Sequence, residues 1–379
     1  MNVLLNAITI KEGGGAVVFY KTLNEMLLLD SSIKWVVVID EKMRKNIQVN
    51  ERVTLLNYPW IKKSPLHYLY WNEFYLPKLI KKHTIDCVYS VINTLPFRRL
   101  ACCTLLSIIH AGYFSEEFIS LNKKYNSSFR ARLGWKIRKE WVCASLYKAN
   151  KIVSPTKALV DAILHQLKIN PEKMSVVLPG PGLAQESVTS KGLGKKKQWR
   201  IGYITKYGVQ KNFEVLFKAA SELKLKRTDF KIILTLNTEH KLFQFIQAMI
   251  NQYDIADVIE NHGEVTDNEI QQLYLTLDLF VFPSLCESIG FTLLEAMYSR
   301  IPVIASDIKS NRELLGENGL FFSPYDHKKL VDCIISITSD DEKYLKASKY
   351  CYDRGHQFSW RKSAHETLRI IKDVSCVTS

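Results

Sequence analysis

The stretch Pro283–Ala305, PSLCESIGFTLLEAMYSRIPVIA, sets two carboxylates, Glu287 and Glu295, eight positions apart across an expected helix start. Just upstream, LTLDLFVF (275–282) reads as a short buried strand, and apolar residues recur at helical spacing from Phe291 to Tyr298. Ser284–Gly290 is then the turn between them. A strand, loop and helix in this order turn the unpaired N–H groups of the helix start toward the loop, where they suit a phosphate. Ser288, Ile289, Gly290, Phe291 and Thr292 supply that start, and Gly290 lets a ligand approach the backbone. Glu287 belongs to the loop beside the phosphate. Glu295 lies within the helix, where a carboxylate accepts two hydrogen bonds from a ribose diol or a sugar. The plainer alternative makes Glu287 a charge favouring the helix N-terminus and Glu295 a solvated helix residue.

Outward from this stretch, short β-branched runs alternate with amphipathic ones, the pattern of an α/β protein with mainly parallel sheets. In the first half the expected strands are Asn2–Ile8, Lys34–Ile39, Asp86–Ser90, Cys103–Ile109, Lys151–Ser154 and Ser175–Leu178, with a helix over Ala16–Leu29. PGPGLAQESVTSKGLGKKK (179–197) has no periodicity and reads as an interdomain linker. The alternation restarts with Trp199–Tyr203, Lys231–Leu236, Val258–Ile259, Leu279–Phe282, Pro302–Ala305 and Leu320–Phe322. A helical tail, interrupted near Gly355, is expected to pack back across the first domain. The resulting boundaries are 1–182 for the first domain, 183–198 for the linker, 199–355 for the second domain and 356–379 for the returning helix. A chain of 379 residues is long enough for two cores.

Composition narrows the class. Hydrophobic residues at 47% and charged residues at 24% are those of a folded protein rather than a disordered one. The longest strongly apolar run, Leu100–Ile109, is too short to span a bilayer, and MNVLLNAITIKEGGG lacks the basic start and cleavage site of a signal peptide. Cysteines 87, 102, 103, 143, 286, 333, 351 and 376 form no CxxC pair, so neither zinc nor a disulfide framework is expected, and reducing cytosol is the simplest compartment.

The net charge of +14 is uneven: residues 1–190 hold 26 Lys+Arg against 14 Asp+Glu, and residues 191–379 hold 26 against 24. The densest basic piece is FISLNKKYNSSFRARLGWKIRKEW (118–141), with Lys123, Lys124, Arg130, Arg132, Lys136, Arg138 and Lys139. Within it Phe129, Leu133, Ile137 and Trp141 recur every four residues as one apolar stripe. Such a helix either lies on an anionic membrane surface or packs its stripe on the domain core with the cations in water. No helix-turn-helix, zinc-finger or RNA-recognition signature supports a nucleic-acid partner.

In open α/β sheets, ligands bind beyond the carboxyl ends of the strands. The loops placed there include Gly13, Gly14 and Gly15 after the first strand, His110 after CTLLSII, and TKYGVQKN after WRIGY, which brings Lys206 and Lys211 to a helix start. Two flexible ammonium groups in that position suit a pyrophosphate. Read singly, each of these loops is also explained as a tight turn or a solvated segment.

Taken together, IGYITKYGVQKNFEVLFKAA, NHGEVTDNEIQQLYLTLDLFVFPSLCESIGFTLLEAM and IPVIASDIKSNRELLGENGLFFSPYD resemble the retaining family-4 glycosyltransferases in order and spacing. That resemblance implies the GT-B fold: two Rossmann-like parallel-sheet domains facing across a cleft, with a C-terminal helix packing back on the N-terminal domain. It implies a nucleotide-diphosphate sugar as donor substrate, no metal and no cofactor. Glu287 would then face the transferred sugar and Glu295 hold the ribose, while Lys206 and Lys211 bind the diphosphate. Gly14 and Gly15 resemble the glycine-rich loop of the family, and His110 its histidine near the donor sugar. The chain departs from the family in having Lys206 where an arginine is usual, Thr205 where a glycine is usual and Ala111 where an aspartate often stands. The implied context is transfer to a glycan or lipid-linked glycan in surface polysaccharide or lipopolysaccharide synthesis, at the cytoplasmic face of the membrane. The alternatives are a degenerate protein of this fold that binds membranes or polyanions, and another enzyme of the same architecture such as a nucleotide-sugar epimerase or a phosphorylase.

Overall fold

The computed structural model describes residues 1–125, 128–183 and 198–376. All of the expected linker except its two ends lies outside the described residues. Two compact units emerge, the first from Met1–Phe114, Asn126–Gly180 and Ser359–Ser379, the second from Ser115–Tyr125 and Pro181–Phe358. The segment Ser115–Tyr125, placed by sequence in the first domain, thus groups with the second.

The first unit holds β1 (Asn2–Asn6), β2 (Lys34–Ile39), β3 (Val53–Asn57), β4 (Cys87–Ser90), β5 (Cys103–Ser107), β6 (Lys151–Ser154) and β7 (Met174–Val176). They form one sheet in the order β3-β2-β1-β4-β5-β6-β7, every pairing parallel. Interior strands such as WVVVI at 35–39 are buried on both faces, which is why they read as continuous apolar runs. The helix Trp360–Cys376 belongs to this unit, with Leu368, Ile371 and Val374 in one cluster with Phe19, Leu23 and Met26 of the helix Gly14–Leu29.

The second unit holds β8 (Trp199–Tyr203), β9 (Phe230–Leu234), β10 (Ile259–Asn261), β11 (Leu279–Phe282), β12 (Val303–Ser306) and β13 (Leu320–Phe322), in the order β10-β9-β8-β11-β12-β13, again all parallel. Its helices are signalled locally. In the helix Asp267–Thr276, Thr266 accepts the N–H of Glu269 while Glu269 accepts the N–H of Thr266, a reciprocal cap of two otherwise unpaired donors. This helix takes in Leu275 and Thr276, so the strand expected from 275 begins only at Leu279.

Each sheet reverses its winding once. In the second unit the chain runs from β8 outward to β9 and β10, then returns to the other side of β8 as β11. The loops leaving β8 and β11 therefore part at their carboxyl ends and open a crevice, the place where such sheets bind ligands. The segments carrying Lys206 and Lys211, and Glu287 and Ser288, are those two loops. In the first unit the reversal falls between β1 and β4, and the glycine loop follows β1.

Candidate active site

The crevice of the second unit is assembled by hydrogen bonds, most of them from side chains to backbone carbonyls, that hold its loops together. The Tyr203 hydroxyl at the end of β8 donates to the carbonyl of Lys211 at 2.8 Å, and the N–H of Leu285 donates to the carbonyl of Gln210 at 2.8 Å. Asn212 takes a left-handed conformation (φ 52°), which Asn tolerates better than most residues, and its amide donates to the carbonyls of Pro283 and Pro324 at 3.0 and 2.8 Å. From the neighbouring strand, the Ser306 hydroxyl donates to the carbonyl of Ser284, and Asn311 in turn donates to Ser306.

This framework aims Lys211 across the crevice. Its ammonium donates to Glu287 Oε1 at 2.6 Å, with the two side chains only 16% and 11% exposed. Burial works against the Lys211 charge, but Glu287, supported by Tyr203 and Cys286, outweighs it and holds the lysine pKa above its usual value. Lys211 therefore keeps its charge in direct contact with Glu287. Lys206 lies on the exposed part of the same loop.

Glu295 is not the solvated helix residue of the plainer reading, since it is 5% exposed. Its Oε2 accepts the Tyr274 hydroxyl at 2.9 Å and its Oε1 the N–H of Leu183 at 3.2 Å. Gly182 packs so closely that a Cβ there would come within 2.3 Å of Oε1. Burial pushes the Glu295 carboxyl up to about 7, against the opposing effect of those two hydrogen bonds.

The helix Phe291–Tyr298 begins where sequence places it, with Gly290 before it and the N–H of Leu294 closing the first turn on the Gly290 carbonyl at 3.0 Å. Gly290 has a packing reason to be glycine: a Cβ would meet the Phe282 ring at 2.8 Å. Ile289 turns into the core, while Ser288, Phe291 and Thr292 stay half-buried at the crevice.

In the first unit, Gly13 has φ 76° and leads into the helix that starts at Gly14, with Gly14 exposed and Gly15 half-exposed. His110 follows β5 and stands against Tyr113 and Trp135, with ring centroids 4.7 and 5.7 Å away. The N–H of Gly112 donates to its Nδ1 at 3.1 Å, which leaves the proton of the neutral ring on Nε2. His110 is exposed, yet crowding by the surrounding protein, helped by Arg138, holds its pKa down to about 4. His110 is therefore neutral at physiological pH and presents an N–H donor.

The basic stretch, read in sequence as one piece, is divided. Lys123 and Lys124 end the helix Glu116–Tyr125 of the second unit, whereas Arg130, Arg132, Lys136 and Arg138 lie on the helix Phe129–Lys148 of the first. The apolar stripe does not pack on the core: Phe129, Leu133 and Ile137 are 72%, 46% and 57% exposed. Only Trp141 is covered, stacking on Phe97 with centroids 4.7 Å apart.

The model of the glycosyl transferases group 1 matches residues 185–354, and that of glycosyltransferase family 4 matches residues 13–181. The chain belongs to the family-4 glycosyltransferases. An O-antigen chain mannosyltransferase, RfbU of Salmonella typhimurium, is 25% identical over 284 residues, 75% of this chain and 73% of that one. A glycogen synthase of Clostridioides difficile is 28% identical over 198 residues, 48% of this chain and 40% of that one, so this chain spans less than half of that relative. The solved structure of Anabaena HepE in complex with UDP and glucose superposes with a TM-score of 0.69 at 16% identity, covering 98% of this chain and 100% of that one, which shows the GT-B fold.

Sequence reading of this family-4 glycosyltransferase missed the residues that hold the site in shape: Tyr203, Asn212, Tyr274, Ser306 and Asn311. Asn212 had a local signal, an Asn directly before a helix. Tyr274 had none, because its partner Glu295 lies 21 residues away and only the fold joins them.

Glu295 gives a pH signature. Its folded pKa of about 7 exceeds the ordinary 4.5, so the folded state binds more protons than the unfolded state between those values. Its contribution to stability is highest below pH 4.5 and falls as pH rises through 7, by on the order of 3 kcal/mol. Glu295→Gln should remove that fall, so the difference in melting temperature between variant and wild type should move in the variant's favour from pH 5 to pH 8. A constant difference would mean that Glu295 titrates normally.

Proposed function

We propose that the protein is a retaining, metal-independent glycosyltransferase that moves a sugar from a nucleotide-diphosphate sugar to a glycan or lipid-linked glycan acceptor in surface polysaccharide or lipopolysaccharide synthesis. The observation that carries this reading is the Lys211–Glu287 pair, 2.6 Å apart at the reversal point of the second sheet and beside a helix N-terminus. The family membership, the O-antigen relative and the neighbour solved with UDP and glucose support it.

The chemistry follows from where charge develops. As the bond from the anomeric carbon to the diphosphate breaks, negative charge collects on the leaving diphosphate and positive charge on the sugar ring. Lys206, Lys211 and the N–H groups of 288–292 would stabilise the first, being positioned before reaction rather than recruited during it. A nucleotide diphosphate reaching Lys211 also compensates the positive charge that Glu287 now balances, leaving Glu287 to accept from the sugar hydroxyls. Glu295 would accept from the ribose once its Leu183 contact gives way, with Tyr274 fixing its other oxygen. Neutral His110 would donate from Nε2 to a sugar hydroxyl, and Gly14 and Gly15 would leave room beside it. The acceptor hydroxyl then bonds to the anomeric carbon on the face the diphosphate leaves, and its proton passes to a diphosphate oxygen, which preserves the anomeric configuration. No carboxylate nucleophile is assigned.

The exposed stripe of the helix Phe129–Lys148, flanked by Arg130, Arg132, Lys136 and Arg138, supports a peripheral location on an anionic membrane surface, where a lipid-linked acceptor resides. A second copy of the same helix would bring like charges together. No helix of the described residues is long and apolar enough to cross a membrane.

Two experiments test these readings. Lys206→Ala with Lys211→Ala should lower kcat at least tenfold, with product from the wild type keeping the donor's anomeric configuration by NMR; unchanged kcat removes the diphosphate clamp, and an inverted product removes the retaining mechanism. Replacing Arg130, Arg132, Lys136 and Arg138 by Gln should release the protein from phosphatidylglycerol vesicles, most clearly at low salt. Undiminished vesicle binding in that variant would place the membrane surface elsewhere.

A further inference from the structure

We propose that the first unit carries a second anion site, distinct from the donor crevice, that holds a phosphate ester or pyrophosphate at the amino-terminal edge of its sheet. This does not rest on the transferase reading. A cavity of about 1020 Å³ opens there, walled by the residues just before β4, β5 and β6, among them Asp86, Cys102 and Asn150. The glycine loop and His110 follow the carboxyl ends of β1 and β5, so the cavity lies at the opposite edge of the same sheet.

The wall carries the cations Arg98, Arg99, Lys148, Lys173 and Lys372, of which Lys372 is in an ion pair. Lys148 donates to the carbonyls of Pro96 and Phe97 at 2.5 and 2.8 Å, and Lys173 to the carbonyl of Tyr147 at 3.2 Å. Carbonyls fix the position of an ammonium without cancelling its charge, and each ammonium keeps a further N–H for a ligand. Arg98 donates to the backbone carbonyl of Glu73, whose carboxylate accepts the N–H groups of Phe97 and Arg98. Arg99 is exposed and has no ion-pair partner among the described residues. Lys372 is paired with Asp30, and Asp86, the carboxylate in the wall, accepts the N–H of Asn2 at 2.7 Å. Burial lowers the Lys148 pKa, with Glu73 opposing this in part. Leu95, Leu100 and Tyr147 complete an apolar side, so a phosphate carried on an apolar body fits as well as a soluble one.

Cys102 lies in the wall and reports on occupancy, although burial pushes its thiol up to about 12 and makes alkylation slow. In the full chain, inorganic pyrophosphate at ten times its Kd should slow alkylation of Cys102 roughly tenfold by mass action, read by peptide mass spectrometry. Arg99→Ala with Lys173→Ala, both side chains with some exposure, should abolish that protection, and Lys148→Gln should do the same if it folds. Lys206→Ala with Lys211→Ala should leave it intact, which separates this site from the donor crevice. Protection by phosphatidic acid vesicles, but not phosphatidylcholine vesicles, would identify a lipid-borne phosphate, and protection by pyrophosphate alone a soluble one. Alkylation at one rate with and without every phosphate probe, or protection that survives Arg99→Ala with Lys173→Ala, would overturn the proposal.

Discussion

The contact between Lys211 and Glu287 organises the second unit's site, because it joins the two loops that the sheet's reversal drives apart. The topology separates the chain leaving β8 from the chain leaving β11, and without a connection their side chains would face water independently. In a mostly buried crevice the Glu287 carboxylate, 2.6 Å away, offsets the burial of the Lys211 ammonium and holds its pKa up. The same two loops are stitched by Asn212 to the carbonyls of Pro283 and Pro324 and by Leu285 to Gln210. The pair is thus held in place rather than formed by chance between mobile side chains.

Glu295 shows a different use of a carboxylate. It is buried, its two oxygens are engaged by Tyr274 and Leu183, and its pKa is raised to about 7. A carboxyl in that state lies near its titration point, so a polar ligand that replaced the Leu183 contact would also change its charge. The energy for such an exchange is modest on the scale of ligand binding, since a pKa unit corresponds to about 1.4 kcal/mol. The two glutamates of one short sequence element therefore have unlike environments, one paired with a cation and one desolvated.

Much of the fold was legible because parallel strands buried on both faces leave continuous apolar runs, and twelve of the thirteen strands among the described residues were anticipated. The exception, β3 (Val53–Asn57), is an edge strand with only one fully buried position. The candidate residues of the loops were legible from their position after strands, but their partners were not. Gly290 was legible as the start of the helix, but the Phe282 ring that leaves no space for a Cβ there was not, a contact that depends on how the preceding strand lies under the helix. The stripe Phe129, Leu133, Ile137 has one spacing whether it meets a core or solvent, so periodicity could not decide between them and exposure does. Likewise, no spacing in sequence brings Arg99, Lys148 and Lys173 to one cavity; only the order of strands in the sheet does.

In the proposed function, the second unit binds a nucleotide-diphosphate sugar with protein cations alone. The most direct measurement is thermal unfolding with a panel of UDP-, GDP- and dTDP-sugars in the absence of added metal. At about 100 times the Kd, mass action gives roughly 2.7 kcal/mol of stabilisation, enough to raise the melting temperature visibly. The expected result is a rise with one nucleotide class that persists in the presence of a chelator. No rise with any member of the panel, or a rise that appears only when a divalent cation is added, would contradict it.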